Sequence, residues 1–89
     1  MRAVITVVGK DTVGILSGVS EVCAHNGINI IEVSQSILQE LFCMIMLVDM
    51  EGATVTFSDF SDELKAMGRE KNLQIHAMHE DVFNTMHHV

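Results

Sequence analysis

The sequence predicts an α+β domain in the order β-α-β-β-α-β, the split βαβ or ferredoxin-like plan. That plan has a four-stranded antiparallel sheet with two helices on one face, here with an extra C-terminal helix. Three observations predict it. The stretch from Ala3 to Ser36 runs from an apolar segment through a glycine-containing loop into a helical stripe and out into a second extended segment. Two extended segments, Ile28–Leu38 and Leu41–Met50, are separated only by Gln39-Glu40, as expected of an antiparallel hairpin. From Thr56 onward a helical stripe is again followed by an alternating segment, so the chain passes twice through the same order of elements.

Ala3–Val8 is rich in Val and Ile and apolar at nearly every position, which suits a strand covered on both faces. The loop Gly9-Lys10-Asp11-Thr12-Val13-Gly14-Ile15 follows, with Asp11 or Thr12 placed to cap the next helix. In that helix Ile15, Leu16, Val19, Val22 and Cys23 recur at helical spacing, and Gly27 supplies the left-handed position that ends it. Strict alternation along the second strand puts Asn29, Ile31, Val33, Gln35 and Ile37 on one side and Ile28, Ile30, Glu32, Ser34, Ser36 and Leu38 on the other. In the third strand Phe42, Met44, Met46 and Val48 oppose Leu41, Cys43, Ile45 and Leu47. Both of its faces are apolar, so it belongs in the middle of the sheet or under a partner subunit. Glu51-Gly52-Ala53 makes a turn. Thr56 with Asp59 three residues on resembles a capping box, and Phe57, Phe60, Leu64 and Met67 form the stripe of a helix that stops between Gly68 and Asn72. Leu73–Met78 alternates as a fourth strand, and Val82, Phe83 and Met86 share one side of a short last helix.

The 89 residues read as one domain, 1–89, with no room for a second core. A 48% hydrophobic content and a mean hydropathy of +0.33 are high for a chain this small. The expected remedy is a homodimer or higher homo-oligomer, because an interface buries what a small core cannot. A net charge of −7 with only five Lys and Arg argues against nucleic acid and against an anionic membrane surface. The longest uninterrupted apolar run, Leu41–Val48, falls far short of the ~20 residues a spanning helix needs. No cleavage-site pattern follows Arg2, and Cys23 and Cys43 sit inside apolar segments as small hydrophobes of a reducing compartment. The expected location is therefore the cytoplasm.

Chemistry has few places to sit. The Gly9–Ile15 loop leads into a helix N-terminus, whose free N–H groups and dipole favour an anion such as a carboxylate. Gly14 would let a ligand approach the backbone, and Asp11 would cap the helix or meet an ammonium group. The same loop also reads as an ordinary β-α turn with an Asp cap and a packing glycine. His76 and His79 are three apart and His87-His88 lie near the end, but no Cys pair or HExxH-type spacing joins them or His25 into a metal site, so they read as solvated or capping residues. The carboxylates Glu32, Glu40, Asp49 and Glu51 show no acid–base spacing, and no serine sits in a nucleophile elbow or P-loop. The sequence therefore implies neither an enzyme nor a cofactor.

The segment Val7-Val8-Gly9-Lys10-Asp11-Thr12-Val13-Gly14-Ile15-Leu16, followed by Val19 and then Gly27-Ile28-Asn29-Ile30, resembles the ACT domain, a small regulatory module. The hallmark is an Asp, a variable residue, then Gly and Ile or Leu at the first helix, with an Asn-Ile pair opening the second strand. The resemblance covers the whole chain and is nearest to the stand-alone single-domain ACT proteins. It departs in one place, where Val13 stands in the position that often holds a loop-stiffening Pro. What the resemblance implies is an amino-acid ligand held between the first loop of one subunit and the second strand of a neighbour. That nominates Asp11, Thr12, Val13, Gly14 and Ile15 on one side and Asn29 and Ile30 on the other. It also implies a regulated metabolic protein as partner. The alternative from the residues alone is a ligand-free dimerisation or protein-interaction module built on the apolar sheet face.

Overall fold

The computed structural model describes residues 1–10 and 14–86. Its elements are β1 (Arg2–Gly9), α1 (Ile15–His25), β2 (Asn29–Leu38), β3 (Leu41–Asp49), α2 (Phe57–Lys71), β4 (Gln74–His79) and α3 (Glu80–Met86). The strands lie in the order β2-β3-β1-β4, and every neighbouring pair is antiparallel. This is the βαββαβ plan with an added terminal helix. The most continuously apolar strands, β1 and β3, take the two central positions, each with a hydrogen-bonded strand on both sides.

One face of the sheet makes the core. Ala3, Ile5 and Val7 of β1, Phe42, Met44, Met46 and Val48 of β3 and Ile75 of β4 are buried against Ile15, Val19 and Cys23 of α1 and Phe60 and Leu64 of α2. The two faces of β3 are those its alternation predicts. β2 departs from its predicted alternation because the register shifts between Ile30 and Glu32, leaving Ile31 as the extra residue of a bulge. Ile30, opposite Val48, and Val33, opposite Met46, therefore both pack on the core, while Ile31 is exposed.

Helix ends follow local chemistry. Thr56 Oγ1 accepts from the Asp59 N–H at 3.1 Å, the predicted cap of α2. α1 ends in a Schellman arrangement around Gly27 at φ 69°: the Ile28 N–H donates to Cys23 O at 2.9 Å and the Gly27 N–H to Ala24 O at 3.2 Å. Beside it Asn26, only 4% exposed, ties three elements together. Its Nδ2 donates to Val22 O at 3.0 Å and to Glu63 Oε1 of α2 at 2.9 Å. Its own carbonyl accepts from the Thr54 N–H at 2.9 Å.

The other face of the sheet is covered at one end. α3 packs on β1 and β4, and Val4 beneath it is buried. Arg2 and Glu80 form an ion pair at 2.9 Å across the same end. Val8 and Ile45, further along this face, remain exposed, and Cys43 beside them is half-buried. Of the residues that share one side of the last helix by spacing, Val82 and Met86 are exposed, and no residue of α3 is fully buried.

The two thiols thus differ. Burial without a charged partner pushes Cys23 up from 9.0 to about 11. Below pH 9 both the folded and the unfolded chain keep this proton. Between the two values only the unfolded chain loses it, so stability falls as pH rises, by about 2–3 kcal/mol at pH 11 if no other group intervenes. Urea unfolding of the wild type and Cys23→Ala at pH 8 and pH 10.5 should show a difference that shrinks with pH. A constant difference would mean that Cys23 ionises equally in both states.

Candidate functional site

The first loop delivers the chain to α1 through Gly14, the N-cap residue, at φ 76° and ψ 4°. A side chain at this φ is strained and glycine is not. The cap is therefore Gly14 rather than Asp11 or Thr12, which with Val13 lie outside the described residues. The Gly18 N–H closes the first helical bond to Gly14 O at 2.8 Å. Gly14 has no side chain to offer and none caps the helix from this position, so the N–H groups of the first turn point outward at the positive end of the helix dipole. A Cβ built on Gly14 meets nothing within 4 Å among the described residues. The Ile15 side chain faces the core at 2% exposure and leaves only its backbone for a ligand.

Asn29 is exposed where β2 starts, and Ile30 beside it is half-buried against the core. The register fixes where this is. Asn29 lies opposite Asp49, which lies opposite Arg2, whereas the first loop leaves β1 at Gly9, opposite Phe42 and one strand from Ile37. The two halves of the predicted site occupy opposite ends of the sheet, separated by the length of a strand, roughly 23 Å. The fold does not bring them together within one chain.

A groove of about 410 Å³ runs from Gly14 down between the two helices, lined by Ser17, Glu21 and His25 of α1 and Glu63, Met67 and Lys71 of α2. Its only signal was the small and polar stripe Gly14, Ser17, Gly18, Glu21 and His25 on the face of α1 opposite its apolar stripe. Nothing in the sequence says which part of α2 that stripe meets.

The histidines scatter. His76 is exposed opposite Thr6, and His79 packs its ring on Phe57 with centroids 4.8 Å apart. His87 and His88 lie outside the described residues. Among the described residues no three His, Cys, Asp or Glu side chains are grouped to hold a metal ion, and no helix is long and apolar enough to cross a membrane.

Comparison with known proteins gives this fold a family. Residues 2–78 match the ACT domain. The chain is 44% identical over 88 residues to a UPF0237 protein of Methanocaldococcus jannaschii, covering 99% of this chain and 98% of the relative. It is 45% identical to a UPF0237 protein of Clostridium perfringens over the whole of both chains. Among solved structures it resembles an ACT domain protein from Streptococcus pneumoniae, with a TM-score of 0.82 and 38% identity over 93% of each chain. The chain belongs to the ACT domain family, a regulatory ligand-binding fold.

Proposed function

We propose that residues 1–89 act as one stand-alone ACT domain that binds an amino acid between two subunits of a homodimer and regulates a metabolic protein in the cytoplasm, without catalysis of its own. The observation that supports this reading is the start of α1 at an exposed Gly14, where no side chain among the described residues caps the first turn and the helix dipole favours an anion. The ligand carboxylate sits on the first-turn N–H groups of one subunit. Asn29 of the partner subunit donates to that carboxylate or accepts from the ammonium group. The separation of Gly14 and Asn29 along the strand is what makes a second subunit necessary. Ligand then favours the dimer geometry in which both halves meet, and the population shifts toward it. Gly14 lies at the head of the helical groove, and Glu21 and Glu63 further along it supply the negative charge that suits an ammonium.

The competing reading is a ligand-free assembly module. Ile37 and Leu38, at 70% and 68% exposure near the tip of the β2–β3 hairpin, favour it.

Thermal unfolding against the twenty amino acids separates the two readings. A ligand at about 100 times its Kd adds roughly 2.7 kcal/mol per site, a shift on the order of 10 °C for a small domain. Gly14→Ala and Asn29→Ala should each abolish that shift while the protein stays folded and dimeric. Gly14→Ala itself costs only about 1–2 kcal/mol, from the left-handed φ, since its methyl group meets nothing. No shift with any amino acid would favour assembly. A shift that survives both substitutions would remove these residues from the site.

A further inference from the structure

A second groove, of about 450 Å³, lies where the first loop leaves the sheet, on the side away from α1. Val8 of β1 and Leu41 of β3 form its floor, and Gln74 of β4, opposite Val8, forms one wall. Lys10 stands on the rim from the chain leaving β1. Lys71 and Asn72 come from the end of α2, where Asn72 turns the chain in the left-handed region at φ 59°. The volume falls within the range of small-molecule sites.

The charge here runs against that of the molecule. The chain carries five Lys and Arg against twelve Asp and Glu, yet two of the five line this groove and, among the described residues, no carboxylate does. Among the described residues neither ammonium is held in an ion pair or hydrogen bond, in contrast to Arg2, which Glu80 holds at 2.9 Å. The Asn72 and Gln74 carboxamides add further donors. Val8 and Leu41 remain 37% and 39% exposed, an apolar floor beneath the cations.

We propose that this groove binds a small carboxylate that bears an apolar chain and no positive charge. The two ammonium groups and the carboxamides take the carboxylate, and Val8 and Leu41 take the chain. Among the described residues an α-ammonium group would meet two cations and no acid, so the groove selects against the zwitterion that the Gly14 site favours. This site stands independently of the amino-acid reading.

The test is an amide NMR titration of the full chain with isocaproate, which is leucine without its amino group. L-leucine, isocaproamide and acetate are the comparison probes. Isocaproate should move the amides of Val8, Gly9, Lys10, Leu41, Asn72 and Gln74, with an affinity that weakens as salt is added. The neutral amide, the zwitterion and the tail-less acetate should each move them less at equal concentration. Lys10→Gln should raise the isocaproate Kd roughly tenfold, while Gly14→Ala should leave it unchanged. Lys71 also borders the helical groove, so Lys10 is the discriminating position. Silence of these six amides would overturn the proposal. Equal shifts with L-leucine or with acetate would do the same, by removing the charge or the chain from recognition. Isocaproate shifts confined to Gly14–Gly18 would overturn it too and assign the anion to the helix start. A failed amino-acid panel, by contrast, bears only on the Gly14 site.

Discussion

Replacing Phe60 by alanine is expected to cost about 3–5 kcal/mol, the range for truncating a fully buried aromatic side chain. Phe60 is 0% exposed and, with Leu64, forms the deepest part of the α2 stripe. Phe57 and Met67 flank them only partly buried, and Asp59, Asp62, Glu63 and Lys65 on the other sides of the helix are exposed. Its attachment to the sheet therefore depends on few side chains, and the cavity left by Phe60 cannot be filled by its charged neighbours. A native domain has about 5–15 kcal/mol in total, and a small one sits toward the lower end. The substitution should bring the chain close to unfolding at 37 °C. Urea unfolding followed by circular dichroism measures it, since the chain has no Trp or Tyr to report by fluorescence. A loss below about 1 kcal/mol would mean that α2 does not dock through Phe60. Because α2 also supplies Glu63, Met67 and Lys71 to the helical groove, ligand effects should be tested with surface substitutions that leave Phe60 in place.

What could be read from the sequence was what period and local chemistry carry. The faces of β3 follow from alternation, the cap of α2 from Thr56 and Asp59, and the hairpin from the two residues between its strands. Three features lay beyond that reach. The bulge at Ile31 leaves no mark in composition, because Ile30, Ile31 and Val33 suit either face, and only the register against β3 decides between them. Side-chain chemistry points to Asp11 or Thr12 as the cap of α1, whereas the N-cap position is held by Gly14 through its conformation. Asn26 gives no local signal, because its partners, Glu63 and Thr54, are distant in sequence. The candidate site shows the same division. Its residues could be nominated from the resemblance, but their placement at opposite ends of the sheet needed the strand order. The two grooves needed the meeting of elements that no periodicity encodes.

Gly27→Ala is expected to cost roughly 2–5 kcal/mol, and Gly14→Ala at a similar φ only about 1–2. Both glycines are left-handed, at φ 69° and 76°. They differ in what a methyl group would meet. At Gly14 there is nothing within 4 Å, whereas at Gly27 the new carbon lies 2.6 Å from the carbonyl oxygen of Gly52. That oxygen is backbone and cannot rotate away as a side chain would. The turn carrying it is tied to the end of α1 by the Thr54 N–H, which donates to Asn26 O at 2.9 Å. Relief must come from moving one turn against the other, which also disturbs Asn26 and its bond to Glu63. The two unfolding free energies, compared by urea titration, separate backbone strain from close packing. Equal costs would show that the contact between the Gly27 and Gly52 turns yields easily. A larger cost at Gly27 would show that it is fixed. Asn29 begins β2 only two residues after Gly27, so a fixed contact also means that the two turns hold the far half of the proposed amino-acid site before any ligand arrives.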